Sequence, residues 1–214
     1  MLRNTNPNEL ITILLVIGLI FISVAKLIAP KRFNEFIIVL GNSKYLKIYS
    51  REQKLFNVFD FLLFINLIIS LSVFIIITIQ NYTSTKVINT NMVLKFIAGI
   101  GVFILFKTGI EYFISKLLDN NKISHNYLFQ KISYKNYIGI FLLPTNALLV
   151  YAFPNNLILS YIFLSIALVI NSIGGVLSYK NHQEIIKQNL FYFILYLCTL
   201  EIAPYIILCK VFIA

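Results

Sequence analysis

Long apolar runs separated by short polar stretches set the pattern of this chain. Six of them are long enough to cross a bilayer as helices, which takes about 20 residues each. They lie at roughly 10–29, 56–79, 93–118, 136–153, 157–178 and 189–213. The runs are too long and too uniformly apolar for the alternating strands of a membrane barrel. The expected fold class is therefore an all-α membrane protein, with six transmembrane helices in a bundle and a single integral membrane domain spanning 1–214. Only Pro154, Asn155 and Asn156 separate the fourth and fifth runs, a tight turn that makes those two helices an antiparallel hairpin.

The stretch after the first run is patterned differently. Phe33, Phe36, Ile37 and Leu40 recur at helical spacing among charged neighbours, Gly41 is a natural stop, and Tyr45, Ile48 and Tyr49 extend a similar stripe. Such an amphipathic segment is expected in the headgroup region, anchoring the bundle or offering a docking surface. Lys26 and Asp60, near span ends, are expected to reach the interface.

Composition agrees with the pattern. Hydrophobic residues make up 59% of the chain and charged residues 12%, far from the balance of a soluble domain. The net charge of +10 would point to nucleic acid in a soluble protein. Here the lysines cluster beside apolar runs, so the partner they imply is the lipid bilayer and not nucleic acid. The most basic loop, 30–55, carries Lys31, Arg32, Lys44, Lys47, Arg51 and Lys54. With loops 119–135 and 179–188 it is expected in the cytoplasm, which puts both termini on the periplasmic side of a bacterial inner membrane. "SVA" at 23–25 could end a signal peptide, but cleavage would leave the basic loop on the wrong side, so the first helix is expected to stay.

Charges inside the apolar runs are the candidate site. Lys107 and Glu111 stand four residues apart on one helix face, and Glu201 lies near the centre of the last run. Opposite chain directions put Lys107 and Glu201 at similar depth, so an intramembrane cluster of Lys107, Glu111 and Glu201 is expected. It would be either a lock between helices or a titratable site. Pro204 would free a carbonyl beside Glu201. Pro144 and Asn146 fall near the middle of the fourth run, and Asn171 precedes Gly174 and Gly175, which permit close helix approach.

Cys198 and Cys209 are eleven residues apart, about 16 Å along a helix, and read as apolar residues rather than a disulfide. Neither a catalytic motif, a metal pattern nor a cofactor fingerprint is present in the sequence. The expected function is non-enzymatic: a structural or accessory component of an envelope assembly, with membrane or envelope proteins as possible partners. The alternative is a small proton-coupled transporter or channel using Lys107, Glu111 and Glu201.

The segments "SKYLKIYSREQKLFNVFDFLLFIN" (43–66) and "FYFILYLCTLEIAPYIILCK" (191–210) resemble an uncharacterised family of Bacteroidota inner-membrane proteins, a domain of unknown function. "GIFLLPTNALL" (139–149) is compatible with it. The resemblance covers most of the chain and is most specific at "YLCTLEIAP". It implies that Glu201 and Pro204 are motif positions and that the protein resides in a Gram-negative inner membrane. It implies no catalytic residue.

Overall fold

A computed structural model describes residues 7–39, 44–49, 57–83, 90–117, 121–154 and 156–181. The helices are α1 (Pro7–Ile28), α2 (Pro30–Ile37), α3 (Lys44–Tyr49), α4 (Val58–Thr83), α5 (Thr90–Leu117), α6 (Asn121–Ala147) and α7 (Leu157–Asn181). The expected run at 189–213, with Glu201, Pro204 and both cysteines, lies outside the described residues.

Four of these helices, not six, are long and apolar enough to cross a membrane among the described residues. They are Glu9–Ile28, Val58–Tyr82, Val93–Ile110 and Leu157–Gly175. The expectation of six transmembrane helices is corrected most clearly at 136–153. That run is the second half of α6, whose first half carries Lys122, His125, Gln130, Lys131 and Lys135. The helix can be this polar because neighbouring helices, not lipid, cover much of it. Gln130, Ser133, Asn136, Thr145 and Asn146 are all buried.

α4 is the central helix and packs against α1, α5, α6 and α7. Its most apolar window is 56% buried, against 17–22% for the other three spans, so α1, α5 and α7 form the outer faces. Two bonds fix how α4 meets α6. Asn136 Nδ2 donates to the carbonyl of Asp60 at 3.3 Å, and Asn146 Nδ2 donates to the carbonyl of Ser70 at 2.8 Å. Both pairs are 76 residues apart, so the two helices run parallel and in register over about 15 Å. α1 and α7 run the other way: Thr12 meets Tyr151 through their hydroxyls while Gly18 lies against Leu143, and Phe163 packs on Phe141 while Gly174 lies against Tyr134.

Gly139 explains how α4 and α6 come so close. A Cβ there would stand 2.7 Å from Cα and 3.1 Å from the backbone nitrogen of Leu67. Backbone cannot move aside as a flexible side chain can, so only glycine allows this approach. Gly174 does the same for α7, where a Cβ would meet the Tyr134 ring at 2.6 Å. Gly175 faces open space.

Pro144 lies inside α6, where its ring denies a hydrogen bond to the carbonyl of Ile140. The helix then widens into a single π turn, Leu148–Ala152, in which the Phe153 amide reaches back to the Leu148 carbonyl at 3.0 Å. After the turn, Asn156 starts α7, its Oδ1 accepting from the Leu159 amide at 3.1 Å.

Gly139→Val should destabilise the bundle by about 1–3 kcal/mol through overpacking, read as an earlier midpoint in a denaturing-detergent titration. Gly175→Ala should leave that midpoint unchanged within about 0.5 kcal/mol.

Candidate functional site

The amphipathic stretch after α1 folds back across one end of the bundle. Pro30 opens α2 with its backbone already set for a helix. Phe33 and Phe36 face inward and are buried, whereas Ile37, expected on the same stripe, is 45% exposed, and Leu40 lies outside the described residues. Arg32 shares the inward face with Phe36, one turn away, and is buried with it.

Inside, Arg32 finds a carboxylate. Its Nη2 donates to Asp60 Oδ2 at 2.6 Å, and its Nε donates to the Tyr45 hydroxyl at 3.4 Å. Asp60 does not reach the interface as expected. It is only 2% exposed, because α2 and α3 close over the start of α4. Four rings surround the guanidinium. Its Cζ lies 4.9 Å from the ring centres of Tyr49 and Phe59, 5.9 Å from Tyr45 and 6.0 Å from Phe129. Phe36 braces this enclosure edge-on to Tyr45 at 5.3 Å and to Phe59 at 5.9 Å. Arginine suits the place because its planar cation stacks on rings while its fork holds a carboxylate.

The electrostatics follow from the enclosure. Burial opposes the Arg32 charge, but the fields of Tyr45 and Asp60 and the hydrogen bonds to both carry its pKa above its ordinary value. Burial, then the charge of Asp60, push the Tyr45 phenol well above its usual range, against the pull of Arg32. Tyr45 therefore stays a neutral hydroxyl throughout the physiological range.

Of the expected cluster of Lys107, Glu111 and Glu201, only the Lys107 side chain is among the described ones. Lys107, on α5, is only 7% exposed and has Thr108, also buried, beside it. Glu111 lies one turn further on α5, but its side chain is outside the described ones, as are Glu201 and Pro204. Asn146 is buried against Ser70 in the α4–α6 interface. Asn171 and Pro144 are exposed. Among the described residues no three His, Cys, Asp or Glu side chains gather to hold a metal.

Sequence reasoning passed over Arg32 as one basic residue among several, and over Asp60 as a span-end charge. A signal was present in the four-residue spacing of Arg32 and Phe36, which puts the charge on the apolar face of α2.

Fold and site together define an all-helical, multi-span membrane protein. Over residues 11–212 the chain matches the family described as a domain of unknown function (DUF4271), and it belongs to that family. Comparison with curated proteins and with solved structures gives no match.

Removing one partner strands a charge in an apolar enclosure, so Arg32→Ala and Asp60→Ala should each cost about 3–5 kcal/mol. Arg32→Met with Asp60→Leu should cost less than the two single changes summed, as a double-mutant cycle in denaturing detergent would show. A raised Tyr45 pKa means that the folded chain holds the phenolic proton longer than the unfolded one. The associated stability is whole below the ordinary tyrosine pKa of about 10 and falls by about 1.4 kcal/mol per pH unit above it. Tyr45→Phe should remove that part of the alkaline slope in the same titration.

Proposed function

We propose that this protein is a non-enzymatic, polytopic component of a bacterial inner membrane, of the Bacteroidota type, and serves as a structural or accessory member of an envelope assembly. One observation carries this reading. Among the described residues, Arg32, Asn81, Asn136 and Asn146 bridge helices by bonding to other side chains or to helix backbone, and the buried ion pair is enclosed by aromatic rings. Such chemistry holds helices in place. The membrane-facing sides of α1, α5 and α7 and the helix folded across the bundle end offer surfaces to lipid and to protein partners.

The orientation belongs to the same proposal. The starts of α4 and α6 and the whole of α2 share one end of the bundle, as the Arg32 enclosure requires. Lys26 and Lys31 are exposed there. That end faces the cytoplasm in this proposal, with the basic segments 30–55, 119–135 and 179–188 on the same side and the N-terminus periplasmic.

A second reading, a small proton-coupled transporter or channel working through Lys107, Glu111 and Glu201, is favoured by the burial of Lys107 within a helix long and apolar enough to cross a membrane.

Crosslinking in native membranes followed by mild-detergent purification should recover the protein with a stoichiometric envelope partner. Recovery as a lone monomer under those conditions would count decisively against the assembly role. Proton flux in proteoliposomes that disappears in Lys107→Met would favour the second reading.

A further inference from the structure

The seam between α4 and α6 contains polar atoms that pair and polar atoms that do not. Asn146 Nδ2 donates to the Ser70 carbonyl at 2.8 Å, and the Ser70 hydroxyl donates to Asn66 Oδ1 at 3.5 Å. These bonds use one atom of each carboxamide. The other two are Asn66 Nδ2, which only donates, and Asn146 Oδ1, which only accepts. Neither has a partner among the described residues, and both side chains belong to residues that are 0% exposed.

The position makes this costly. Bulk water does not reach the interior of the bundle, so an amide atom there must be met from within. α1 closes the third side. A Cβ on Gly18 would come 3.0 Å from Asn66 Oδ1 and 2.7 Å from Leu143 Cδ1, so α1 sits directly against the two helices at this level.

The two atoms are complementary and are linked through a single residue, Ser70. We propose that Asn66 and Asn146 form a binding site for one buried water molecule at the junction of α1, α4 and α6. The water accepts from Asn66 Nδ2 and donates one hydrogen to Asn146 Oδ1. Its second hydrogen is free for a helix carbonyl, giving the about three bonds typical of internal water. Asn66, Ser70, Thr145 and Asn146 are all neutral, so the site selects a neutral ligand that both donates and accepts, rather than an ion. Thr145 does not compete for it, since its hydroxyl already donates to the Leu142 carbonyl at 2.9 Å.

α6 carries further buried polar atoms toward the Arg32 enclosure, on more than one of its faces. Gln130 Oε1, the Tyr134 hydroxyl and Asn136 Oδ1 are buried there without partners among the described residues. Asn136 lies about 15 Å from Asn146 along α6, with the contact of Gly139 on Leu67 between them. The central site is thus separated by tightly packed backbone from the polar groups nearer the bundle end.

Water-edited solid-state NMR on the full chain in lipid bilayers, with asparagine labelled in nitrogen-15, reads the site directly. Magnetisation should pass from water to the Asn66 carboxamide in the native protein. It should fall several-fold in Asn146→Leu, in which the Asn66 group itself is retained. A native Asn66 carboxamide that receives no water signal overturns the proposal, and so does a transfer that Asn146→Leu leaves intact. Xenon NMR on the native protein supplies a second measurement that needs no variant. Xenon should be excluded from this junction, and its entry would identify a dry apolar void instead.

Discussion

The distance between α4 and α6 controls the rest of the molecule. Most helix pairs meet through side chains, but here Gly139 lets one helix lie against the backbone of the other at Leu67. At that spacing the short carboxamides of Asn136 and Asn146 reach carbonyls of α4, and they do so at both ends of the contact. In a bilayer the apolar faces gain little by leaving lipid, so small residues and hydrogen bonds must carry association. A slip of one residue along α6 would break both amide bonds and drive a side chain into the α4 backbone. The parallel register is therefore specified by geometry as well as by hydrophobicity.

The aromatic enclosure depends on that register. Phe129 comes from α6 and Phe59 and Asp60 from α4, while Arg32, Tyr45 and Tyr49 come from the two short helices folded across the end. The guanidinium thus joins four elements at one point. Its burial is tolerable because the charge is met in kind, the fork is hydrogen-bonded and the rings present their electron-rich faces. α2 is only eight residues long and would be marginal alone. Phe33, Phe36 and Arg32 seat it.

Much of the helical pattern was legible in the sequence, since apolar runs of bilayer length need no tertiary information to be recognised. The helix start at Val58 and the break at Pro154–Asn156 follow from composition and turn chemistry alone. The number of spans was less legible. Residues 136–153 count as an apolar run, yet they begin inside a helix whose polar first half buries Gln130 and Ser133 against its neighbours. Shelter of this kind is invisible until neighbours are known. The Arg32–Asp60 pair was not legible for a related reason. Lys107, Glu111 and Glu201 stand out because they interrupt apolar runs. Arg32 and Asp60 sit where charges are ordinary, and only the folding back of α2 and α3 makes them special. Gly174 was legible as a close-approach residue, but its neighbour Gly175 looks identical in sequence and faces open space.

The separation of Arg32 from its carboxylate also has a consequence for biogenesis. Asp60 follows twenty-eight residues later in the chain, so the guanidinium leaves the ribosome before its counter-ion exists. At about 5–20 residues per second the interval lasts on the order of seconds. Throughout it, the nascent hairpin must keep that cation hydrated or among lipid headgroups. The aromatic pocket can close only after α4 has entered the bilayer and α6, carrying Phe129, has come alongside. Sealing this end is thus a late act of assembly, performed on helices already inserted.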